Sequence, residues 1–291
     1  MSFESSIKGT RNLIDFIASS HAHLFFCSSL ASVLAGPSPI TESPSTDAST
    51  ASSVGYSQSK WVTERICAMA NDGGMDGRVH VLRIGQLCGD TVEGYWNEKE
   101  GWPLLIRTAN TTGVLPELGE VSNMLPAYRL SPPPLLRVTK ELRAETILAP
   151  CRPCRASHVS DPHDESKVNP NRSIDVVLLA PPRSFIYHIA HPSLISWSTI
   201  LDGLSTANLE FRRVQPAEWL DAVDNTPEED ASRQMLDLWK GAYSQPSTVD
   251  APEVKCENAV RDSPTLRDIG KVGEEQVGRM VQAWRKSGFL H

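Results

Sequence analysis

The segment Gly55-Tyr56-Ser57-Gln58-Ser59-Lys60 places a phenol and an ammonium group four residues apart. On a helix such positions share a face, so Lys60 can approach the Tyr56 hydroxyl. A free tyrosine titrates near about 10, too high for efficient proton exchange at neutral pH. A nearby cation favours the phenolate and lowers that value. A tyrosine tuned in this way can give a proton to a carbonyl oxygen while hydride arrives at the carbon. The spacing alone is weak evidence, because a surface helix carrying an aromatic residue and a lysine has the same pattern.

Two neighbouring segments add to it. Ser28-Ser29 ends a short apolar run, where parallel α/β sheets place their ligands. A serine hydroxyl there can hydrogen-bond a carbonyl and the oxyanion that develops from it. Downstream, Arg83-Ile-Gly-Gln-Leu-Cys-Gly89 puts small and polar residues, Gly85 and Gln86 among them, at the end of the next apolar run. Serine at one strand end, Tyr and Lys on the following helix and a polar strand end after that form an ordered set that chance rarely produces.

The elements that must hold these residues are legible. Ile7 to Ala18 reads as an amphipathic helix, with Leu13, Ile14 and Ile17 apolar and Lys8, Arg11 and Asp15 mostly elsewhere. His23 to Ser29 reads as a buried parallel strand, the Ser/Thr/Pro-rich stretch Pro37 to Ser53 as a loop, and Ser57 to Asn71 as a helix ending at Gly73-Gly74. Val79 to Ile84 is a second buried strand. Helix, strand, helix, strand in this order implies a parallel sheet covered by helices. Further on, the expected elements are a helix at Trp102 to Ala109, one at Val138 to Leu148, ordered structure at Phe185 to Ile189, and a helix at Ser198 to Leu204. A strand at Phe211 to Val214, a helix from Ala217 and an amphipathic helix from Glu274 to Trp284 complete the pattern.

The bulk properties exclude some classes. In 291 residues, 40% are apolar, enough for a real core. A net charge of -7 argues against nucleic acid or an anionic membrane as partner. The N-terminus has no basic segment leading into an apolar stretch, and no apolar run nears the ~20 residues of a membrane span. The expectation is a soluble, cytoplasmic protein. Six cysteines without scaffold density suit a reducing compartment. Cys151, Cys154, His158 and His163 can be drawn as a zinc site, but their separations are shorter than those of usual zinc modules, so no metal is expected.

With these residues in place, the chain resembles the extended short-chain dehydrogenase/reductases. More narrowly, it resembles the thioester reductase domains that end fungal nonribosomal-peptide-synthetase-like and polyketide megaenzymes, kin of carboxylic acid reductases. The likeness rests on Ser6 to Ile14, Phe26 to Ser29, Gly55 to Lys60 with Trp61 to Arg65, Val81 to Asp90, Glu100 to Ile106, Ile186 to Pro192 and Ser196-Trp197. It implies an α/β fold: a partial Rossmann-like parallel sheet with a C-terminal substrate lobe. On that frame residues 1–92 are the C-terminal part of an NAD(P)-binding domain, 93–126 a lobe segment, 127–184 an irregular insertion, and 185–291 the substrate-binding lobe with C-terminal helices.

The resemblance also implies roles. Tyr56 is the acid/base, Lys60 its partner and a nicotinamide-ribose ligand, and Ser29 the oxyanion donor, chosen over Ser28 and Ser32 by its distance to Tyr56. Gly85 and Gln86 lie near the cofactor, which is NADP(H). The substrate is an acyl thioester on a phosphopantetheine carrier protein, or a small acyl compound, reduced to an aldehyde or alcohol. The sequence departs from the family in two places. The Gly-x-x-Gly-x-x-Gly loop that holds the pyrophosphate has no counterpart here, so a partner supplying a nucleotide-binding half is one expectation. Ala127 to Ser184 stands where relatives have a compact lobe helix, either as an insertion or as a retained intron.

Two other readings stand beside the reductase: a nucleotide-sugar epimerase or dehydratase, which shares Ser/Tyr/Lys, and a non-catalytic fragment. His188 and His191 read as structural more readily than as substrate contacts. Trp96 and Trp102 read as packing more readily than as the wall of an acyl pocket, and Glu228 to Asp230 as a solvated face.

Overall fold

The computed structural model describes residues 3–119, 121–122, 124–127, 146–149, 183–244 and 252–291. The chain divides into two units. The first comprises residues 1–85, 130–192 and 252–269, the second 86–129, 193–251 and 270–291.

The first unit is built on a sheet. Helix α1 (Glu4–Ala18) buries Thr10, Ile14 and Ile17 and turns its ion pairs, Lys8 with Glu4 and Arg11 with Asp15, to solvent. Strand β1 (His23–Ser29) follows, then helix α2 (Gly55–Ala70) and strand β2 (Val79–Ile84). Both strands coincide with the expected ones. Strand β3 (Thr146–Ala149) and strand β4 (Ile186–Ile189) complete a four-stranded sheet in the order β3-β1-β2-β4. β1 and β2 run parallel with Leu24 opposite Val79 and Ser29 opposite Ile84, and β4 joins β2 in parallel. β3 lies antiparallel on the other side of β1. Residues 146–148 are therefore strand, and the helix expected over Val138 to Leu148 is corrected there; its remaining residues lie outside those described. The edge of β1 offers a row of backbone donors and acceptors, and pairing them outweighs the local helical pattern.

Ile14, Ile17, Leu24, Phe26, Cys67, Val79 and Val81 form the core between helices and sheet. The chain reverses from α2 into β2 through Gly74 (φ 106°) and Gly77 (φ 72°), a left-handed geometry that a Cβ disfavours. Asn71 pins that reversal by exchanging two hydrogen bonds with the backbone of Val79. Arg78 donates to the carbonyls of Ile17 and Ser20, satisfying the orphan acceptors at the end of α1. Helices α3 (Glu257–Asp262) and α4 (Pro264–Asp268) return to this unit late in the chain.

The second unit is helical with short strand pairs. Helices Gly101–Thr112, Trp197–Thr206, Pro216–Asp224 and Glu274–Ser287 bury an aromatic core around Trp219 and Trp284. Trp219 donates its indole N–H to the Thr108 hydroxyl, and Trp197 donates to the Pro116 carbonyl. Trp96 stacks on Trp284 and Trp102 packs against Trp197, so both tryptophans serve packing. Glu228 and Glu229 are exposed, as a solvated acidic run should be. No helix among the described residues is long and apolar enough to cross a membrane.

Candidate functional site

Helix α2 has an unusual buried face. Ser57, Lys60, Thr63, Glu64 and Cys67 point inward, so the stripe that packs on the sheet is largely polar. An ordinary surface helix buries apolar residues there. Tyr56, Lys60 and Glu64 follow one another at intervals of four residues along this side, facing the C-terminal end of β1.

Lys60 is 5% exposed, and its ammonium donates to the Cys27 carbonyl at 2.9 Å. The same nitrogen lies 5.0 Å from the centroid of the Phe26 ring and 5.5 Å from that of Tyr56. The structure thus brings the expected lysine and tyrosine together at the end of the serine strand. A cation near an aromatic face is attracted by the ring quadrupole, which helps to hold a buried ammonium. Tyr56 itself is 41% exposed, with Phe3 meeting its ring edge-on. A buried cation beside an accessible phenol is the arrangement that proton delivery to a bound molecule requires.

The three candidate serines differ sharply. Ser28 and Ser32 are buried; Ser28 donates to Glu64 Oε1, and the single O–H of Ser32 is shared between that oxygen at 2.7 Å and the Ser29 carbonyl at 2.8 Å. Ser29 is half-buried and caps the single turn Leu30–Ser32 by accepting from the Ala31 N–H. Its own O–H is not spent in that cap, which leaves Ser29 the serine suited to polarise a carbonyl.

Behind the serines lies a charged network. Arg83, fully buried on β2, donates to Glu64 Oε2 from Nη2 at 2.7 Å and from Nε at 3.0 Å. Its Nη1 reaches the Thr41 carbonyl and His188 Nε2 at 3.2 Å. His188 Nδ1 lies 2.7 Å from the Lys255 carbonyl, which can only accept, so Nδ1 carries the proton and Nε2 accepts from Arg83. Burial, and then the Arg83 charge, press the His188 imidazole down to about 3. Its backbone N–H donates to Glu42, whose carboxylate also accepts from the amides of Asn258 and Ala259. Burial raises Glu42 above the usual carboxylate range, against the pull of those amides. His188 is accordingly a structural histidine.

Gly85 directly follows β2, and an added Cβ there would lie 3.0 Å from the Ala190 Cβ and 3.2 Å from Leu30, so the position is held tight by packing. Gln86 opens the second unit, where its amide donates to the Leu87 carbonyl and its own carbonyl accepts from Leu125. The Cys151/Cys154/His158/His163 set lies outside the described residues, and no group of three or more metal-ligating side chains occurs among those described.

Sequence reasoning missed Glu64 and the role of Arg83. The signals were present: Glu64 continues the four-residue spacing of Tyr56 and Lys60, and Arg83 interrupts the apolar run Val79 to Ile84. A charge in a buried strand is rare unless paired.

Residues 2–127 match a family model described as male sterility protein, of the NAD-binding class. An adenylate-forming reductase of Aspergillus terreus is 28% identical over 86% of this chain, which covers 20% of that protein. The adenylate-forming reductase Nps10 of Heterobasidion annosum is 29% identical over 99% of this chain, covering 25% of it. This chain therefore spans a quarter or less of the length of these curated relatives. Among solved structures, the terminal R domain from the myxalamid biosynthetic pathway superposes with a TM-score of 0.70 at 17% identity, over 97% of this chain and 63% of that one. A thiolation–reductase di-domain from an archaeal nonribosomal peptide synthetase gives a TM-score of 0.64 at 17% identity, over 97% of this chain and 53% of that one. Residues 2–127 of the chain are thus similar to the NAD-binding male sterility protein model, the chain is similar in sequence to fungal adenylate-forming reductases, and it shares the Rossmann-like fold of the myxalamid terminal R domain.

Proposed function

We propose that this chain is an NADPH-dependent thioester reductase of secondary metabolism, acting in the cytoplasm on an acyl group carried by a phosphopantetheine carrier protein. The observation that carries this reading is the seating of Lys60 between Tyr56 and the Cys27 carbonyl at the end of the serine strand. Homology to proteins named as reductases supports it, as does likeness to a reductase domain solved together with its thiolation domain.

The donors at the end of β1 fit the nicotinamide end of such a cofactor. The ammonium of Lys60 offers N–H donors to a ribose diol, and Tyr56 beside it is an exposed residue. When bound, the cofactor supplies hydride to the acyl carbon. The chain's own residues do the rest. Ser29 hydrogen-bonds the carbonyl oxygen and stabilises the developing oxyanion. Tyr56 delivers the proton that this oxygen takes up, and Lys60 favours the phenolate left behind. Loss of the carrier thiol then frees an aldehyde, and a second round gives an alcohol. Gly85, with Gln86 next to it in sequence, is the proposed neighbour of the cofactor. Ser29, Tyr56 and Lys60 are the proposed catalytic set.

The test is turnover of an acyl-pantetheine thioester by the purified chain, with cofactor binding followed separately through nicotinamide fluorescence. Saturable NADPH binding with aldehyde release supports the reading; binding of NADPH without any thioester turnover counts against it.

A further inference from the structure

Glu64 stands one turn beyond Lys60 on the same side of α2, and a lysine and a glutamate four apart on a helix ordinarily attract each other. Such a pairing would draw the Lys60 charge away from Tyr56. In this fold the Glu64 carboxylate is committed elsewhere. Oε1 accepts from the Ser28 and Ser32 hydroxyls, and Oε2 accepts twice from the Arg83 guanidinium. Arg83 comes from β2, and its guanidinium brings two nitrogens to the carboxylate, Nη2 to Oε2 and Nε to both oxygens, which the single nitrogen of a lysine would not do. His188, fixed in one tautomer by the Lys255 carbonyl, holds Arg83 from behind.

A buried ion pair is an expensive way to build a core, since apolar residues of similar volume are often as stable or more so. Its position supplies the reason. We propose that Arg83 and Glu64 are positioning residues for the Tyr56–Lys60 couple: Arg83 neutralises Glu64 and turns its carboxylate toward Ser28 and Ser32, so that the Lys60 ammonium acts on Tyr56. The same contacts tie down the Ser28 and Ser32 hydroxyls on either side of Ser29. Among the described residues, the charged and titratable groups around the pair are Lys60 and Cys67 on the same helix, the Cys67 thiol being pushed up by burial and then by the Glu64 charge, with His188 on β4 and, through the His188 amide, Glu42. This proposal rests on the reductase reading for its purpose, but its electrostatic content needs neither cofactor nor substrate.

The experiment is an ultraviolet titration of the Tyr56 phenol in the full chain, isolated by subtracting the Tyr56→Phe variant. It is run on the wild type, Arg83→Gln, Glu64→Gln and the double variant Glu64→Gln/Arg83→Gln, with circular dichroism confirming the fold at each pH. Arg83→Gln leaves a carboxylate to compete for Lys60, and the Tyr56 midpoint rises by about one unit, in line with the usual effect of a charge within a few ångströms. Glu64→Gln moves it the other way, and the double variant returns it to the wild-type value. That sign-ordered restoration is not produced by general loosening. Should Arg83→Gln fail to fold, Glu64→Gln against the double variant reads the same coupling. Equal midpoints in all folded variants, or a double variant that stays displaced, overturn the proposal. Failure of the reductase reading appears instead as wild-type protein that does not reduce thioesters, whatever the titration shows.

Discussion

Arg83 Nη2 lies 2.7 Å from Glu64 Oε2, in a pair almost wholly withdrawn from solvent, one helical turn beyond the lysine of the proposed catalytic couple. The pair links β2 to α2 and, through Glu64, to two serines at the end of β1. The helix bearing Tyr56 and Lys60 is therefore registered against the serine strand by a network of directional bonds as well as by apolar packing. The predictions below test what that registration achieves.

The serines separate by role. Ser29→Ala removes the proposed oxyanion donor and is expected to lower kcat by about 100-fold or more, with about 0.5–2 kcal/mol of stability lost with its cap on the Leu30–Ser32 turn. Ser28→Ala and Ser32→Ala strip a partner from a buried carboxylate and are expected to cost about 1–3 kcal/mol of stability each. Parallel thermal melts and steady-state kinetics of the three variants check the assignment.

Tyr56→Phe keeps the ring and its edge-on contact with Phe3 but has no proton to give. Turnover should fall by about 10²- to 10⁴-fold while NADPH binding persists. Lys60→Met should impair both turnover and cofactor binding, because its ammonium serves the phenol and the proposed ribose contact. Fluorescence titration alongside kinetics distinguishes the two.

Acid should weaken the first unit. His80 donates from Nδ1 to the Ser184 carbonyl and receives a hydrogen bond from His23, and burial lowers it to about 4, while His188 is lowered to about 3. Their folded values lie below the ordinary imidazole value of about 6.5, so the unfolded chain binds more protons as the pH falls below that point. Stability is thus full above about pH 6.5 and is lost on the way down toward pH 4. At pH 5 each histidine should cost about 2 kcal/mol. Denaturant unfolding at pH 7.5 and pH 5 reads this, and His80→Gln should flatten the dependence.

Glu42 fastens the loop between β1 and α2 to β4 and α3 through three backbone amides. Glu42→Ala leaves those amides without their acceptor and is expected to cost about 1–3 kcal/mol. Limited proteolysis should then cut within residues 37–53 under conditions that spare the wild type.

Much of this arrangement could be read from the chain, and the remainder depends on tertiary contacts. His23 to Ser29 and Val79 to Ile84 were recognisable as strands because each is a short apolar run bounded by polar residues, and Tyr56 with Lys60 because their spacing is local. Glu64 and Arg83 are separated by 19 positions and meet only when α2 packs on β2. Strand β3 is likewise a tertiary product: Thr146 to Ala149 falls at the end of a stretch whose sequence pattern reads as helix, and it is strand because β1 has an edge to pair. The choice of Ser29 over Ser28 and Ser32, made from the sequence by distance to Tyr56, stays a proposal, and the contacts of Ser28 and Ser32 with Glu64 support it.

The central claim is that Tyr56 and Lys60 serve a hydride transfer to an acyl carbon. NADPH carrying deuterium at the nicotinamide C4 position tests it directly, with an acyl-pantetheine thioester as acceptor and mass spectrometry of the released aldehyde. The expected result is one deuterium on the aldehyde carbon with the wild type, and formation of that labelled aldehyde slowed by about 10²- to 10⁴-fold with Tyr56→Phe. Release of unlabelled product by the wild type, or labelled aldehyde formed at the same rate by the two proteins, would overturn it.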